Sequence, residues 1–176
     1  MLTVLPTLRP GFFARNTRLL LAVVALGSLA LLAFGLYLQH VVGLEPCPMC
    51  IVQRYALVLV AVVAGGASLF KARGALMGGA LGVVVLAGFG AFVAARQSWL
   101  QWYPPESYSC GRDLFGMIET FPLRRAIPMI FRGGGDCTQI DWTFLGLSIA
   151  NWSFLNFVLI TTLALALLVA QWRNRA

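Results

Sequence analysis

The sequence predicts an all-α membrane protein, a bundle of four transmembrane helices with both termini cytoplasmic and one long periplasmic loop carrying short interfacial helices. Three observations predict it: a composition too apolar for a water-facing surface, four long segments almost free of charge, and a one-sided distribution of ionic residues. Of the 176 residues, 60% are hydrophobic and 11% are charged, and the mean hydropathy is +0.84. A soluble surface of this size needs more charge than 13 basic and 6 acidic side chains supply.

The spans follow in order. Residues 19–38 carry no charge, and residues 50–70 carry one, Arg54, near the start. Ala75 to Ala95, within a span read as 75–96, is uncharged, as is the slightly short run 154–170. A hydrocarbon core of about 30 Å takes roughly 20 apolar residues as helix, so each run is long enough to cross. Backbone in lipid must satisfy its own hydrogen bonds, which makes helix the reading for each. The first run exceeds the usual apolar length of a signal peptide, about 7 to 15 residues, and no A-x-A-like cleavage site follows it, so it reads as a retained span.

The formal charge of +7 is a matter of topology. Arg9, Arg15 and Arg18 precede the first span, Lys71 and Arg73 separate the second and third, and Arg173 and Arg175 follow the fourth. All the acidic residues (Glu45, Glu106, Asp113, Glu119, Asp136, Asp141) fall in the two opposite loops. The positive-inside rule then sets both termini in the cytoplasm. Nucleic acid is excluded as a partner, and the lipid bilayer is the surroundings. The chain reads as one membrane domain: a basic, mobile arm 1–18, a short outer loop 39–49, a tight turn 71–74, a long outer loop 97–153 and a tail 171–176.

The long loop interleaves Leu114, Phe115, Met117, Ile118, Phe121, Leu123 and Ile127 with Arg112, Arg124, Arg125 and Arg132. Such a stretch suits the membrane interface, apolar side down; the alternative is a small core packed beneath the loop. Pro122 and Pro128 keep any helix there short. Gly133-Gly134-Gly135 ahead of Asp136-Cys137 reads as a flexible joint. In the third span Gly78 and Gly82 form a G-x-x-x-G, which allows close helix approach, either within the bundle or between two copies of the chain.

Four cysteines, Cys47, Cys50, Cys110 and Cys137, all lie on the non-cytoplasmic side. The non-cytoplasmic side of a membrane is commonly oxidising, and disulfides persist there. Cys47-Pro48-Met49-Cys50 opens the second span. Pro48 suits the first helical turn, which puts Cys47 near the N-cap and Cys50 within that turn, where the helix dipole favours a thiolate. Ile51 stands where haem attachment would need histidine. Four-cysteine zinc sites use two short-spaced pairs, and Cys110 and Cys137 are far apart in sequence. A second pair between those two is either a structural bridge, contributing about 3 kcal/mol, or the partner-facing half of an exchange relay.

Arg54 lies one turn below Cys50 on the same face, at a depth where a charge is costly and usually functional. It can stabilise a Cys50 thiolate or bind a carbonyl oxygen of a membrane cofactor; the alternative is snorkelling to headgroups. The chain has no dinucleotide fingerprint, and its one histidine, His40, fits an interfacial helix end. Electrons leaving the cysteines therefore need a lipid-soluble carrier, and a quinone fits. Gln97, at the outer end of the third span, is a weaker candidate contact.

These residues, together with Trp99-Leu100-Gln101-Trp102-Tyr103-Pro104, Gly135-Asp136-Cys137 and Trp142-Thr143-Phe144-Leu145-Gly146, resemble the bacterial disulfide bond formation protein B family over nearly the whole chain. The resemblance implies an inner-membrane protein-dithiol:quinone oxidoreductase. In it Cys47 and Cys50 form the pair next to ubiquinone, with menaquinone the anaerobic counterpart, and Cys110 and Cys137 form the loop pair. It also implies that Cys110 makes a mixed disulfide with a soluble periplasmic thioredoxin-fold thiol oxidase, a DsbA-like partner. Arg54 would then assist the quinone and a charge-transfer state with the Cys50 thiolate. Gln97 stands where some relatives have histidine. The main rival is a non-enzymatic tetraspan adaptor with two structural disulfides. A reversed flow of electrons would need a cytoplasmic thiol, and the sequence has none there.

Overall fold

A computed structural model describes residues 10–104, 135–140 and 142–173. The expectations for the first residues of the arm, for Cys110, for the interleaved stretch 112–132 and for the joint at Gly133-Gly134 lie outside those residues. The described elements are α1 (Pro10–His40), α2 (Pro48–Leu69), α3 (Arg73–Trp102), the one-turn helix α4 (Gly135–Thr138), the strands β1 (Thr143–Phe144) and β2 (Leu147–Ser148), and α5 (Ile149–Arg173).

Four of the helices contain segments long and apolar enough to cross a membrane: Arg15–His40, Pro48–Leu69, Arg73–Trp102 and Ile149–Arg173. They surround one core in chain order. α2 packs between α1 and α3, and α5 closes the ring against α3 and, more lightly, α1. The core is built of small and branched side chains, among them Ala56, Ala64, Ala80, Ala87 and Ala164, with Leu21, Val60, Val83, Phe157 and Leu167 filling the space between. Between apolar lipid and apolar core there is little hydrophobic drive, so close packing of small residues does the holding.

Glycine supplies the closest approaches. A Cβ on Gly79 would sit 2.2 Å from the Cβ of Ala67 on α2, and one on Gly90 would sit 2.3 Å from the ring of Phe157 on α5. The G-x-x-x-G works only in part: a Cβ on Gly82 would meet Val63 at 3.0 Å, but one on Gly78 would meet nothing within 4 Å. The close-packed pair facing α2 is thus Gly79 and Gly82.

Polar ties close the end of the bundle away from the cysteines. Gln171 Nε2 donates to Thr17 Oγ1 at 2.8 Å, Arg18 Nε donates to the carbonyl oxygen of Ser68 at 3.0 Å, and Arg73 donates to the carbonyl oxygen of Gln171. The start of α1 and the end of α5 therefore share one end of the bundle.

The helices outrun the apolar runs that announced them. α1 begins at Pro10, inside the stretch read as a mobile arm, and α3 continues to Trp102, past the hydropathy edge at Arg96-Gln97. Helix ends are set by backbone geometry, not by polarity. Pro104 disfavours helical geometry at Tyr103, which takes φ −128° and ψ 74°, and α3 stops there. α5 begins at Ile149, earlier than its uncharged run, because Ser148 Oγ caps it by accepting from the N–H of Asn151 at 3.4 Å. Ahead of that cap, Thr143 pairs with Ser148 and Phe144 with Leu147. The hairpin turns through Leu145 (φ 52°) and Gly146 (φ 78°), both in the left-handed region that a two-residue turn of this hand demands.

Candidate functional site

The site forms where the chain re-enters the bundle after α1. Gly43 takes φ 82°, and the N–H of Leu44 turns back to the carbonyl oxygen of Leu38 at 3.1 Å, closing the helix end. The chain then reaches Cys47, which caps α2 in an extended conformation with Pro48 in the first turn. The Cys47 sulfur accepts from the backbone N–H of Cys50 at 3.4 Å, so the thiol does the work of a serine or aspartate cap. The Cys47 and Cys50 sulfurs lie 2.9 Å apart.

Cys137 comes to the same place from the other side. α4 packs on the end of α3, and Cys137 is fully buried in a cluster with Cys47, Met49, Val93 and Leu100. Its side chain hydrogen-bonds with Cys47. That bond foremost, then the one to Cys50, then burial push the Cys47 thiol above its ordinary pKa. Residues distant in sequence thus form a continuous row of sulfurs, Cys137, Cys47, Cys50.

Two buried glutamines stand beside this row. Gln97 Nε2 donates to the sulfurs of Cys47 and Cys50, at 3.3 Å to each. Its Oε1 accepts from Gln53 Nε2 at 2.7 Å and lies 3.7 Å from the Cys50 sulfur. Arg54, the next residue along α2, turns to α1 instead. Its Nη2 donates to the carbonyl oxygen of Gly35 at 3.0 Å, and its Nη1 donates to Gln39 Oε1. The guanidinium is thus tied to protein groups on the neighbouring helix. Two of its five N–H donors are used by these partners.

Cys47, Cys50, Gln53, Arg54 and Gln97 line one cavity of about 310 Å³, bounded by all four long helices. Its further walls are apolar, with Leu31, Phe34 and Leu38 from α1, Leu57 from α2 and Phe157 from α5. Trp142 and Trp152 also border it. They belong to an aromatic row: Phe34 meets Trp142 edge to face, Trp142 stacks on Phe144, and Phe144 leans on Trp152. The indole N–H of Trp152 donates to the carbonyl oxygen of Phe144 at 3.0 Å, which fixes the hairpin against α5. This volume, mostly apolar with a few convergent polar groups, has the character of a small-molecule site. One end offers N–H donors and the walls are hydrocarbon, a lining that an amphipathic small molecule would match.

Cys47, Cys50, Cys137, Arg54 and Gln97 are therefore gathered at one end of the bundle, and Cys110 lies outside the described residues. His40 is exposed at the end of α1. Sequence reasoning passed over Gln53, although its spacing of three from Cys50 puts it on the cysteine face of α2. It also passed over Gln39, whose only signal is a polar residue at the outer edge of a span.

The fold and site define a polytopic membrane bundle with a row of thiols leading into an arginine-lined cavity. A family model described as disulfide bond formation protein DsbB matches residues 17–167. The chain is 70% identical over 164 residues to a disulfide bond formation protein B of Polaromonas sp. strain JS666, covering 93% of this chain and 98% of the relative. It is 64% identical over 164 residues to one of Albidiferax ferrireducens, covering 93% and 92%. It is 50% identical over 160 residues to one of Aromatoleum aromaticum, covering 90% and 96%. The chain belongs to the DsbB family.

Proposed function

We propose that this protein is a protein-dithiol:quinone oxidoreductase of the bacterial inner membrane that sustains disulfide bond formation, its cysteine end facing the periplasm. It reoxidises a soluble thioredoxin-fold thiol oxidase, DsbA-like, and delivers the electrons to the membrane quinone pool. The observation that carries this reading is the row of sulfurs Cys137, Cys47, Cys50 ending on a cavity that Arg54 lines.

The exchange balances as follows. The partner's dithiol is oxidised to a disulfide as it reduces the loop disulfide Cys110–Cys137, by way of a mixed disulfide on Cys110. The Cys137 thiolate then attacks the Cys47 sulfur of the Cys47–Cys50 disulfide, forming a Cys47–Cys137 bond and expelling Cys50 as thiolate. Cys110 attacks Cys137, restoring the loop disulfide and leaving Cys47 and Cys50 reduced by two electrons and two protons.

Each neighbour has a part in this. The hydrogen bond between Cys47 and Cys137 puts the attacking sulfur beside its target. Attack on the Cys47 sulfur makes Cys50 the leaving group. The N–H of Gln97 meets the sulfur that takes up the charge, and the positive charge of Arg54 acts on it across the shared cavity. Arg54 and the apolar walls would hold the carrier, ubiquinone or, under anaerobic conditions, menaquinone. When bound it accepts two electrons and two protons.

The test is turnover by detergent-purified protein, supplied with a reduced periplasmic thioredoxin-fold protein and a soluble quinone analogue, followed by quinone absorbance. Rapid reduction, abolished in Cys47→Ala or Cys110→Ala and weakened in Arg54→Met, supports the relay. No turnover by the wild type, with both disulfides inert to the dithiol, overturns it and leaves a structural tetraspan protein.

A further inference from the structure

We propose that Gln53 is a positioning residue that aims the side-chain amide of Gln97, so that Gln97 serves the cysteine sulfurs as a fixed N–H donor and not the carrier. The inference deepens the exchange reading, since it assigns the group that receives Cys50 when it leaves.

The argument starts from the amide itself. A glutamine side chain is nearly the same shape with its oxygen and nitrogen exchanged, so its shape alone does not decide which atom faces a neighbour. A second group has to decide it. In the structure Gln53 presents Nε2 to that amide, 2.7 Å from Gln97 Oε1, and with Nε2 forward it pairs only with an oxygen there. With Oε1 held, Nε2 turns to the sulfurs, 3.3 Å from each. The Oε1 contact to Cys50 is longer, at 3.7 Å. Gln53 and Gln97 are each only 4% exposed, so bulk water does not readily replace either partner. A sulfur that gains negative charge is met by an N–H; the reversed amide would meet it with a carbonyl oxygen, which repels it.

Spacing puts the pair where it is needed. Gln53 lies one turn beyond Cys50 on α2, and Gln97 faces it from α3. The pair bridges two helices directly beneath the reactive thiols.

The experiment reads Cys50 directly and needs neither partner nor quinone, so it can fail while the oxidase reading stands, and the reverse. Full-length protein in detergent is reduced, freed of reductant and treated with iodoacetamide near neutral pH. The adduct on each cysteine is followed by peptide mass spectrometry, because the alkylation rate reports thiolate. Loss of a hydrogen bond to a charged group predicts that Gln97→Met slows Cys50 alkylation about tenfold. Gln53→Met is expected to slow it several-fold, and the double variant to be no slower than Gln97→Met alone, the non-additivity of residues acting in series. Gln53→Glu, which keeps the shape but offers an acceptor, is expected to slow Cys50 at least as much as Gln53→Met. An unchanged rate in Gln53→Met or Gln53→Glu overturns the proposal. So does a Gln53 effect that persists in full when Gln97 is methionine. A Gln97→Met variant with normal alkylation and a raised KM for a soluble quinone analogue overturns it too, and assigns Gln97 to the carrier.

Discussion

Arg54 on α2 donates from Nη2 to the backbone carbonyl oxygen of Gly35 on α1 across 3.0 Å, and from Nη1 to Gln39, one turn further along the same helix. The planar guanidinium thus meets two partners with two separate nitrogens, a fork that the single nitrogen of a lysine ammonium does not reproduce. Arg54→Lys keeps the charge and loses the fork. The expected result is a KM for a soluble quinone analogue raised about tenfold, with Arg54→Met worse in both KM and kcat. Steady-state quinone reduction measures both. A lysine variant equal to wild type would show that only the charge matters.

The hydrogen bond between Cys137 and Cys47 makes a second expectation. In Cys50→Ala, Cys47 has no neighbour within its own motif, and Cys137 is the thiol in contact with it. On mild oxidation of that variant Cys47 should form its disulfide with Cys137 in preference to Cys110. Peptide mapping without reduction identifies the linkage. A Cys47–Cys110 product would mean that the row of sulfurs is not the route of exchange.

Much of this was legible in the sequence, for physical reasons that can be named. Length and polarity alone mark the spans, because the bilayer tolerates little else, and Pro48 after Cys47 marks the start of α2. The end of α3 was harder to see, because the hydropathy drops at Arg96-Gln97 while the helix runs on until Pro104 stops it. The two cysteine pairs were legible as halves of a relay, but the meeting of Cys137 with Cys47 was not, since no spacing rule relates residues on different elements. Gln53 went unnoticed for a related reason. Its partner Gln97 lies on another helix, and a lone glutamine in a span announces nothing until the helices are packed.

The raised pKa of Cys47 has a consequence for the reduced protein under alkaline conditions. A thiol whose folded pKa exceeds its unfolded one adds stability at pH values below the unfolded pKa, near 9. That stability is lost as pH rises above it, because the unfolded chain gives up the proton more readily. Reduced protein should therefore lose thermal stability on the alkaline side more steeply than protein carrying the Cys47–Cys50 disulfide. Melting followed by circular dichroism in detergent, at neutral and alkaline pH in both redox states, measures the difference. Parallel loss in the two states would remove Cys47 as its cause.

The glycines of α3 give an internal comparison within one helix. A Cβ on Gly90 would fall 2.3 Å from the ring of Phe157, and one on Gly79 would fall 2.2 Å from the Cβ of Ala67, whereas Gly78 faces open space. Phe157 is 1% exposed and Ala67 is 9% exposed, so neither has much room to yield. Gly90→Ala and Gly79→Ala should each destabilise the bundle by about 1 to 3 kcal/mol, the usual cost of overpacking a tight core. Gly78→Ala creates no contact and replaces the residue with greater backbone freedom, so it should be neutral or stabilising by up to about 1 kcal/mol. Thermal or denaturant unfolding in the same detergent ranks the three. If Gly78→Ala proves as costly as Gly90→Ala, the face carrying Gly78 is packed against something outside the chain, and a second copy in the membrane becomes the first candidate to test by crosslinking.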